Sequence, residues 1–394
     1  MRNESVAVLD IRSYEVTFLL GGKGVNGTFV FRGSKSEEYD GFSTEGFFDY
    51  SSLCSAISSC MQSVLQNYDG EIRELYVGVP SALTKIYTKG QTISFPSKRK
   101  LSEESFDALF EAGLSELAPT GRYIHRSAMY FSLGDNRKYF TSEELYGAQT
   151  SLLEGALCYY FISDEFYSVV QSLFEKAGFT DIHFVPQTLA QANYLIPQKA
   201  REGYAFLLDV GFLTSSISVL YGNGIVHEKT FDGGKGQVLC SLMENLGVEY
   251  EKAMEILFYA DVSGGTVDKE ERWTDNDGRA YSVSSVNDTI KFGLDGICEN
   301  VDSFFSQYYR DRSIPNFAKN PLSMTGEGIV GIKGGTEHIS KRLGHLAEVV
   351  APEIPYYDKP TYSSRISILF YALSKREKKG WKGLLFKLFG GRRK

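Results

Sequence analysis

The chain has 394 residues, of which 42% are hydrophobic and 23% charged, and this indicates a soluble globular protein with more than one domain. Its five cysteines are scattered without metal-ligand spacing, which argues against a disulfide framework and a zinc site, and no apolar run approaches the roughly 18 residues of a membrane span. The net charge is −7, but residues 375–394 hold nine Lys or Arg against one acid, so an acidic body is joined to a basic end.

Two segments about 200 residues apart repeat one pattern. "VAVLDIRSYEVTFLLGGKGVNGTFVFRG" from Val6 and "AFLLDVGFLTSSISVLYGNGIVHEKTFDGG" from Ala205 each predict a strand, an aspartate, a tight turn, an alternating strand, a glycine hairpin and a third strand. Asp10 therefore corresponds to Asp209, and the GGKG turn corresponds to YGNG. The repeat predicts two similar subdomains that face each other across a cleft.

The chain between the two copies predicts an insert followed by two helices. Residues 84–160 contain the helix "SEESFDALFEAGL", which has an N-terminal capping signal, and the strands "RSAMYFSL" and "GALCYYFI". We expect these residues to form a small α/β module. The helices "SDEFYSVVQSLFEKAGF" and "FVPQTLAQANYL" then lead to the second copy.

The remainder of the body predicts a loop, a turn and a final helix. Residues 264–279 are polar, charged and glycine-bearing, which predicts an exposed loop. "LSMTGEGIVGIKGG" at 322–335 predicts a strand ending in a glycine-rich turn, and "TYSSRISILFYALSK" predicts a helix. The five histidines have no paired ligand spacing, and no serine or cysteine lies in a nucleophile motif, so these residues indicate neither a metal centre nor a hydrolase triad.

The basic end predicts an amphipathic helix bounded by glycines. Large apolar residues recur at helical spacing beside basic ones. The residues we assign to membrane contact are Trp381, Lys382, Leu384, Leu385, Lys387, Leu388, Phe389, Arg392 and Arg393. Such a helix is marginal alone in water but lies flat on an anionic membrane, where each Lys or Arg contributes roughly 1 kcal/mol. The alternatives are docking on the protein's own core, or a calmodulin-like or nucleic-acid partner; we expect membrane attachment and no nucleic acid.

The two hairpins, the crossing helix "FVPQTLAQANYL" and the glycine-rich turn resemble the actin-like ATPase superfamily, and the insert and basic tail resemble its cell-division members, the FtsA proteins. The resemblance covers almost the whole chain. It implies an α/β, ribonuclease-H-like duplicated fold with two lobes, an FtsA-type 1C insert and a C-terminal amphipathic helix. The implied segments are 1–83 and 161–197 (first lobe, 1A), 84–160 (1C insert), 198–235 and 311–344 (second lobe, 2A), 236–310 (small domain 2B), 345–374 (final helix region of 1A) and 375–394 (membrane tail).

The resemblance also implies a nucleotide site in the cleft. In the superfamily the two hairpins grip ATP phosphates, the two aspartates hold magnesium and water, and the third turn lies beside the adenosine. The positions that match are Asp10, Ser13, Asp209, Gly211, Thr214, Gly326 and Gly328, with Asp10 and Asp209 for magnesium. The alternative role for the two aspartates is turn capping at strand ends, which needs no metal.

Both phosphate loops depart from the family's pattern. Arg12 stands at the first-loop glycine, and Phe212 and Leu213 interrupt the glycine run of the second loop. A side chain at such positions obstructs the approach of a phosphate to backbone N–H groups. Arg12 can meet a phosphate, fill the cleft or pair with Asp209.

Two further sites depart in the same direction. Val185 replaces an acid that the family carries before the proline of the crossing helix, and Met254 and Leu257 replace polar residues that reach the adenosine. We therefore expect a pseudo-ATPase, or at best a weak nucleotide binder, in which apolar packing rather than ATP joins the two halves.

By resemblance, we expect an adaptor that tethers the FtsZ ring of dividing cells to the inner face of the cytoplasmic membrane. The implied partners are the FtsZ C-terminal peptide on 2B, other copies in filaments or dimers, and other division proteins through 1C. Gly293 falls where the family carries an arginine, which alters the implied FtsZ contact. The alternatives are a polymerising ATPase, a sugar-kinase relative, or a PilM-like platform of a pilus or secretion machine, which normally lacks such a tail.

Overall fold

The computed structural model describes residues 5–24, 27–263, 271–275, 277–309 and 319–389, without the side chains of 309 and 377–389. Its strands are β1 (Val6–Ile11), β2 (Glu15–Lys23), β3 (Phe29–Glu38), β4 (Phe42–Ser43), β5 (Gly46–Phe47), β6 (Glu74–Val79), β7 (Lys85–Lys100), β8 (Arg122–Ser132), β9 (Gln149–Ile162), β10 (Asp181–Pro186), β11 (Ala205–Val210), β12 (Thr214–Tyr221), β13 (Gly224–Asp232), β14 (Arg272–Thr274), β15 (Ala280–Ser282), β16 (Leu322–Thr325) and β17 (Ala347–Val349). Its helices are α1 (Tyr50–Leu65), α2 (Glu103–Ser115), α3 (Asp164–Lys176), α4 (Gln187–Leu195), α5 (Gln198–Arg201), α6 (Lys235–Leu246), α7 (Tyr250–Tyr259), α8 (Val283–Tyr309), α9 (Gly335–Leu343) and α10 (Ser363–Phe389).

The first lobe is built on a five-stranded sheet in the order β10-β6-β1-β2-β3. Strand β1 pairs antiparallel with β2 and parallel with β6. Because successive side chains of a strand point to opposite faces, Leu9 and Ile11 pack with α1 and α3, whereas Val6 and Val8 pack with α10. Both faces are covered, which explains why β1 is apolar throughout except at Asp10.

The second lobe repeats this sheet in the order β13-β12-β11-β16-β17. Its central pairings are again antiparallel between β11 and β12 and parallel between β11 and β16. Asp10 lies opposite Thr17, and Asp209 lies opposite Ser216, so the two aspartates occupy the same place in each sheet. One face of the second sheet packs with α6, α7 and α8, and the other packs with α4.

The insert forms a separate three-stranded sheet in the order β7-β9-β8, with α2 on one face. At the start of α2 the backbone N–H of Ser102 donates to Ser105 Oγ at 3.2 Å, which completes part of the predicted cap. Leu109 and Phe110 of α2 are buried against the sheet. The equivalence of this module to the FtsA 1C insert stays a prediction.

Two segments differ from their predicted turn or loop. Gly21, predicted in the GGKG turn, lies within β2, and an added Cβ there would lie 2.7 Å from Leu369 Cδ2, so this glycine makes room for α10. Part of the loop predicted at 264–279 is a hairpin, since β14 pairs with β15 and Trp273 packs on Tyr281 with ring centroids 5.6 Å apart. Residues 264–270 and 276 lie outside the described part of the chain.

Helix α10 is longer than predicted. It continues through Gly380, where we predicted a boundary, and through Gly383, since a glycine inside a helix costs only about 1 kcal/mol. Arg376 ion-pairs with Glu74 and donates to the Ser5 carbonyl at 3.2 Å, which fixes the helix to the first lobe. The side chains assigned to membrane contact lie outside the described residues, and no described helix has the length and apolar content to cross a bilayer.

Candidate functional site between the two lobes

The turns after β1 and β11 meet across the space between the lobes. Helix α4 crosses beneath them and supplies side chains to both turns, and the first turn of α10 reaches the same place. Four elements that are distant in sequence therefore converge on the two corresponding aspartates.

An ion pair joins the lobes at this point. Arg12 Nη1 and Nη2 donate to Asp209 Oδ2 and Oδ1 at 2.6 and 2.7 Å, and Gln191 Nε2 donates to Oδ2 at 2.9 Å. The two charged side chains are only 12% and 9% exposed. A bidentate guanidinium–carboxylate pair is among the strongest charge-assisted contacts in proteins. Of the three roles predicted for Arg12, the structure shows pairing with Asp209, which also fills the cleft.

Asp10 is held by different partners and is 1% exposed. Its Oδ1 accepts hydrogen bonds from Gln187 Nε2 at 2.8 Å and from Ser364 Oγ at 2.5 Å, while its Oδ2 has no hydrogen-bond partner among the described residues. Among the described residues, the hydrogen-bond donors to both aspartates are side chains from distant parts of the chain, and none is a backbone N–H of the aspartate's own turn. Turn capping, the alternative predicted for Asp10 and Asp209, is therefore wrong.

The carboxyl groups of the cleft differ in the direction in which their pKa values are shifted. Burial raises the pKa of Asp10, and the nearby positive charges of Arg12 and Arg365 offset only part of that effect. Burial acts against ionisation of Asp209 too, but the charge and hydrogen bonds of Arg12 outweigh it and lower the pKa of Asp209. Burial also raises the pKa of Glu327. The cleft thus holds one ion pair beside two carboxyl groups whose pKa values are raised by burial.

The second loop packs directly on the first. The ring of Phe212 stacks on Tyr14 with centroids 4.2 Å apart, and the Leu213 backbone N–H donates to Ser13 Oγ at 3.2 Å. The carbonyls of Gly211 and Phe212 accept from the first backbone N–H groups of α6 at 3.0 and 2.9 Å. The bulky residues predicted to obstruct a phosphate therefore contact the first lobe directly.

The third turn lies against the second loop. Gly326 has φ +97°, and a Cβ there would lie 2.3 Å from Asp209 Oδ1; a Cβ on Gly328 would lie 2.4 Å from the Gly211 carbonyl oxygen. Only glycine permits this approach. Thr214 lines the same cleft. The structure thus brings the residues predicted for nucleotide contact into one place, where they contact one another and side chains of α4, α10 and Arg12.

The remaining space does not fit magnesium ATP. The cavity between the loops has a volume of only about 30 Å³, which holds a few water molecules at most. Both carboxylate oxygens of Asp209 are occupied by Arg12, and Asp10 Oδ2 is buried away from solvent. Among the described residues, no group of three or more His, Cys, Asp or Glu is arranged to hold a metal ion.

Some residues of the site were missing from the sequence prediction. Gln187 and Gln191 are four positions apart on α4, and this spacing places them on one helix face, so a signal for them existed. Ser364 gave no signal, because 354 positions separate it from Asp10. Tyr14 could be identified only once Phe212 was known to face it.

The other departures from the family's pattern are packed into cores. Val185 is 1% exposed within the apolar layer under α10. Leu257 is buried in the apolar core of the second lobe, and Met254 is partly buried and packs against that core. Apolar contacts thus stand where the family has polar ones.

No protein-family model matches this chain, and no curated protein matches it in sequence. Solved structures do match over nearly its whole length. The PilM-PilN type IV pilus biogenesis complex aligns with a TM-score of 0.60 and 12% identity, covering 94% of this chain and 99% of that chain. MreB 5 of Spiroplasma citri bound to AMPPNP aligns with a TM-score of 0.55 and 7% identity, covering 97% and 99%. The chain has the actin-like fold. The ethanolamine utilization protein EutJ from Carboxydothermus hydrogenoformans shares this actin-like fold, with a TM-score of 0.52, 11% identity and coverage of 94% and 90%.

The predicted two-lobed actin-like architecture is confirmed by these matches and by the duplicated sheets. At identities of 12% or less, the similarity establishes the fold alone. The FtsA-type insert, the amphipathic membrane helix and the FtsZ contact stay predictions.

Proposed function

We propose that this actin-like chain is a pseudo-ATPase adaptor, which connects a protein assembly to the inner face of the cytoplasmic membrane without using ATP. The observation that carries the proposal is the Arg12 guanidinium, which stands at the phosphate-loop glycine and occupies both oxygens of Asp209. A fixed positive charge on the chain thereby takes the place of a bound cation. The lobes are joined by the protein's own side chains, so their closure does not depend on a ligand.

The membrane part of the proposal rests on the sequence of the tail and on where α10 is attached. The contact of Arg376 with Glu74 holds the helix on the first lobe at the start of the basic segment. The tail would therefore leave the body at a fixed point, with its apolar stripe and basic residues available to an anionic leaflet.

Two classes of assembly are candidates for the partner. The resemblance to FtsA favours a division filament of FtsZ, bound through the small domain of the second lobe, together with self-association and further partners on the insert. The match to the PilM-PilN complex, which covers 94% of this chain, favours a platform of a pilus or secretion machine. The basic tail supports the first class, because a pilus platform of the PilM kind normally lacks one.

The test of the pseudo-ATPase proposal is an equilibrium titration of the full chain with a fluorescent ATP analogue, with and without magnesium. We expect no saturable binding up to about 1 mM, because the guanidinium and the Phe212–Tyr14 stack fill the phosphate region. Arg12→Lys is the matched variant, since it keeps the charge but cannot bond both oxygens of Asp209. Tight, magnesium-dependent binding by the unmodified chain would overturn the proposal.

A further inference from the structure

The insert contacts the second lobe, although its chain leaves and rejoins the first. Lys138, beyond β8, donates from Nζ to Tyr221 OH at 2.8 Å, and the same ammonium lies 4.5 Å from the ring centroid of Tyr130 and 4.9 Å from that of Tyr221. The ammonium is therefore attracted to the ring of Tyr130 and hydrogen-bonds the hydroxyl of Tyr221. Tyr204 stacks on Tyr221 with centroids 4.4 Å apart, despite a φ of +67°.

The hairpin between β12 and β13 is shaped for this contact. Gly222 has φ +56°, and a Cβ there would lie 1.8 Å from the Met129 carbonyl oxygen of β8, so no side chain fits. Asn223 Nδ2 donates to the Phe140 carbonyl at 2.8 Å. We call the contact of Met129, Tyr130, Lys138 and Phe140 with Tyr221–Asn223 the insert clasp.

Two buried side chains, Arg201 and Cys158, contact the hairpin of the insert clasp. Arg201 is 4% exposed and donates to the Gly222 carbonyl and to Asn223 Oδ1, each at 2.8 Å, and also to carbonyls at the end of α4. Cys158 of β9 lies with Sγ 3.5 Å from the Ile225 carbonyl oxygen, inside an apolar cluster shared by the insert, α4 and the second sheet. The hairpin is thus fixed by buried contacts to α4 and to the insert.

The clasp and the cleft ion pair lie at opposite ends of one strand. Asp209 lies opposite Ser216, near the start of β12, and β12 ends at Tyr221 in the clasp, five residues further along, which is about 17 Å at roughly 3.3 Å per residue. One attachment leaves two rigid bodies free to rotate about it in any direction, whereas two attachments this far apart restrict rotation to the line that joins them. We propose that the insert clasp is a second contact that holds the two lobes together, in addition to the Arg12–Asp209 pair. The lobes then stay closed without a ligand, and they open only when the insert clasp and the Arg12–Asp209 pair are both broken.

The experiment compares three variants of the full chain by amide hydrogen exchange at Leu213, whose N–H bonds Ser13 across the cleft. Arg12→Met with Asp209→Asn removes the cleft pair without leaving one charge buried, and Lys138→Met removes the clasp ammonium while keeping an apolar stem. We expect each change alone to alter exchange by about twofold or less, and the combination to raise it by about tenfold or more. Lys138→Arg combined with the cleft change is the control, which keeps a cation over the tyrosines and should stay protected.

Either of two outcomes contradicts the proposal. Full opening by the cleft change alone would show that the clasp does not hold the lobes, and unchanged exchange in the combined variant would show that other contacts do. Protection of the β7-β9-β8 sheet in the same experiment reports that the insert is still folded, which separates loss of the clasp from unfolding.

Discussion

Arg12 and Asp209 form a buried pair whose net contribution depends on both members being present. Removing two charges from water costs several kcal/mol each, and their attraction and hydrogen bonds return about that amount. Gln191 supplies a further hydrogen bond to the same carboxylate. Loss of one member alone leaves a charge without its partner in a place that water reaches poorly.

We therefore predict that Asp209→Asn destabilises the chain by about 3–5 kcal/mol, because it leaves the Arg12 guanidinium buried and unpaired. Arg12→Met together with Asp209→Asn should be less destabilising than Asp209→Asn alone. Urea unfolding followed by circular dichroism measures both differences.

The exposed pair of Glu71 and Arg73 serves as the control, since these side chains are 72% and 63% exposed. Glu71→Gln should leave the urea midpoint unchanged. If the double variant at Arg12 and Asp209 proves less stable than Asp209→Asn alone, the account of a self-compensating pair is wrong.

Helix α10 connects the cleft with the tail through close contact with the first sheet. Its first turn donates from Ser364 to Asp10, and its later turns lie over β1, β2 and β6. Gly78 on β6 marks the closest approach, since a Cβ there would lie 2.3 Å from Ile368 Cδ1. The helix position is therefore set by the absence of side chains beneath it.

We predict that Gly78→Ala destabilises the fold by about 1–3 kcal/mol through overpacking against Ile368. Ile368→Val removes the clashing methyl group and should recover part of that loss when the two changes are combined. The measurement is the free energy of unfolding of the two single variants and the double variant.

Gly90→Ala is the matched control, because a Cβ at this exposed strand position meets nothing within 4 Å. It should cost nothing through overpacking. Equal losses for Gly78→Ala with and without Ile368→Val would show that α10 is not seated in the way described.

At the scale of the whole molecule, the acidic body and the basic tail separate two tasks. In the body, the two lobes are held together by the protein's own side chains, and the tail sequence is suited to an anionic surface. We predict that the full chain sediments with phosphatidylglycerol-containing vesicles and that a chain ending after Arg376 does not, because the apolar stripe and most of the basic residues are then missing. Ending after Arg376 keeps the contact with Glu74.

Salt provides the control for this sedimentation experiment. Binding should weaken as the screening length falls from about 10 Å at 0.1 M to about 3 Å at 1 M salt, since part of the attraction is electrostatic. Leu384→Asp with Leu388→Asp should abolish binding in the full chain. Equal sedimentation of the full and shortened chains would remove the role assigned to the tail and would favour the pilus-platform class of partner.

The sequence by itself determined the elements and their repetition. Alternating apolar residues, glycine turns and the spacing of the two aspartates are local signals, and they were sufficient to predict two similar lobes and the insert, whereas the interpretation of the two turns as phosphate loops depended on the family resemblance. The GGKG segment was placed wrongly because Gly21 is not needed for a turn. It is needed because Leu369 of α10, 348 positions away, packs where a side chain would lie.

Only the tertiary structure decided what the obstructing residues do. The sequence left Arg12 three roles, and the choice depended on a carboxylate 197 positions away whose distance no local pattern encodes. The same holds for Ser364 at Asp10 and for Lys138 at Tyr221. Local propensity and periodicity act between residues that are close in sequence, and the helices and strands were therefore predictable. A contact between the lobes depends on how two sheets pack against each other, and the interlobe contacts were therefore not predictable.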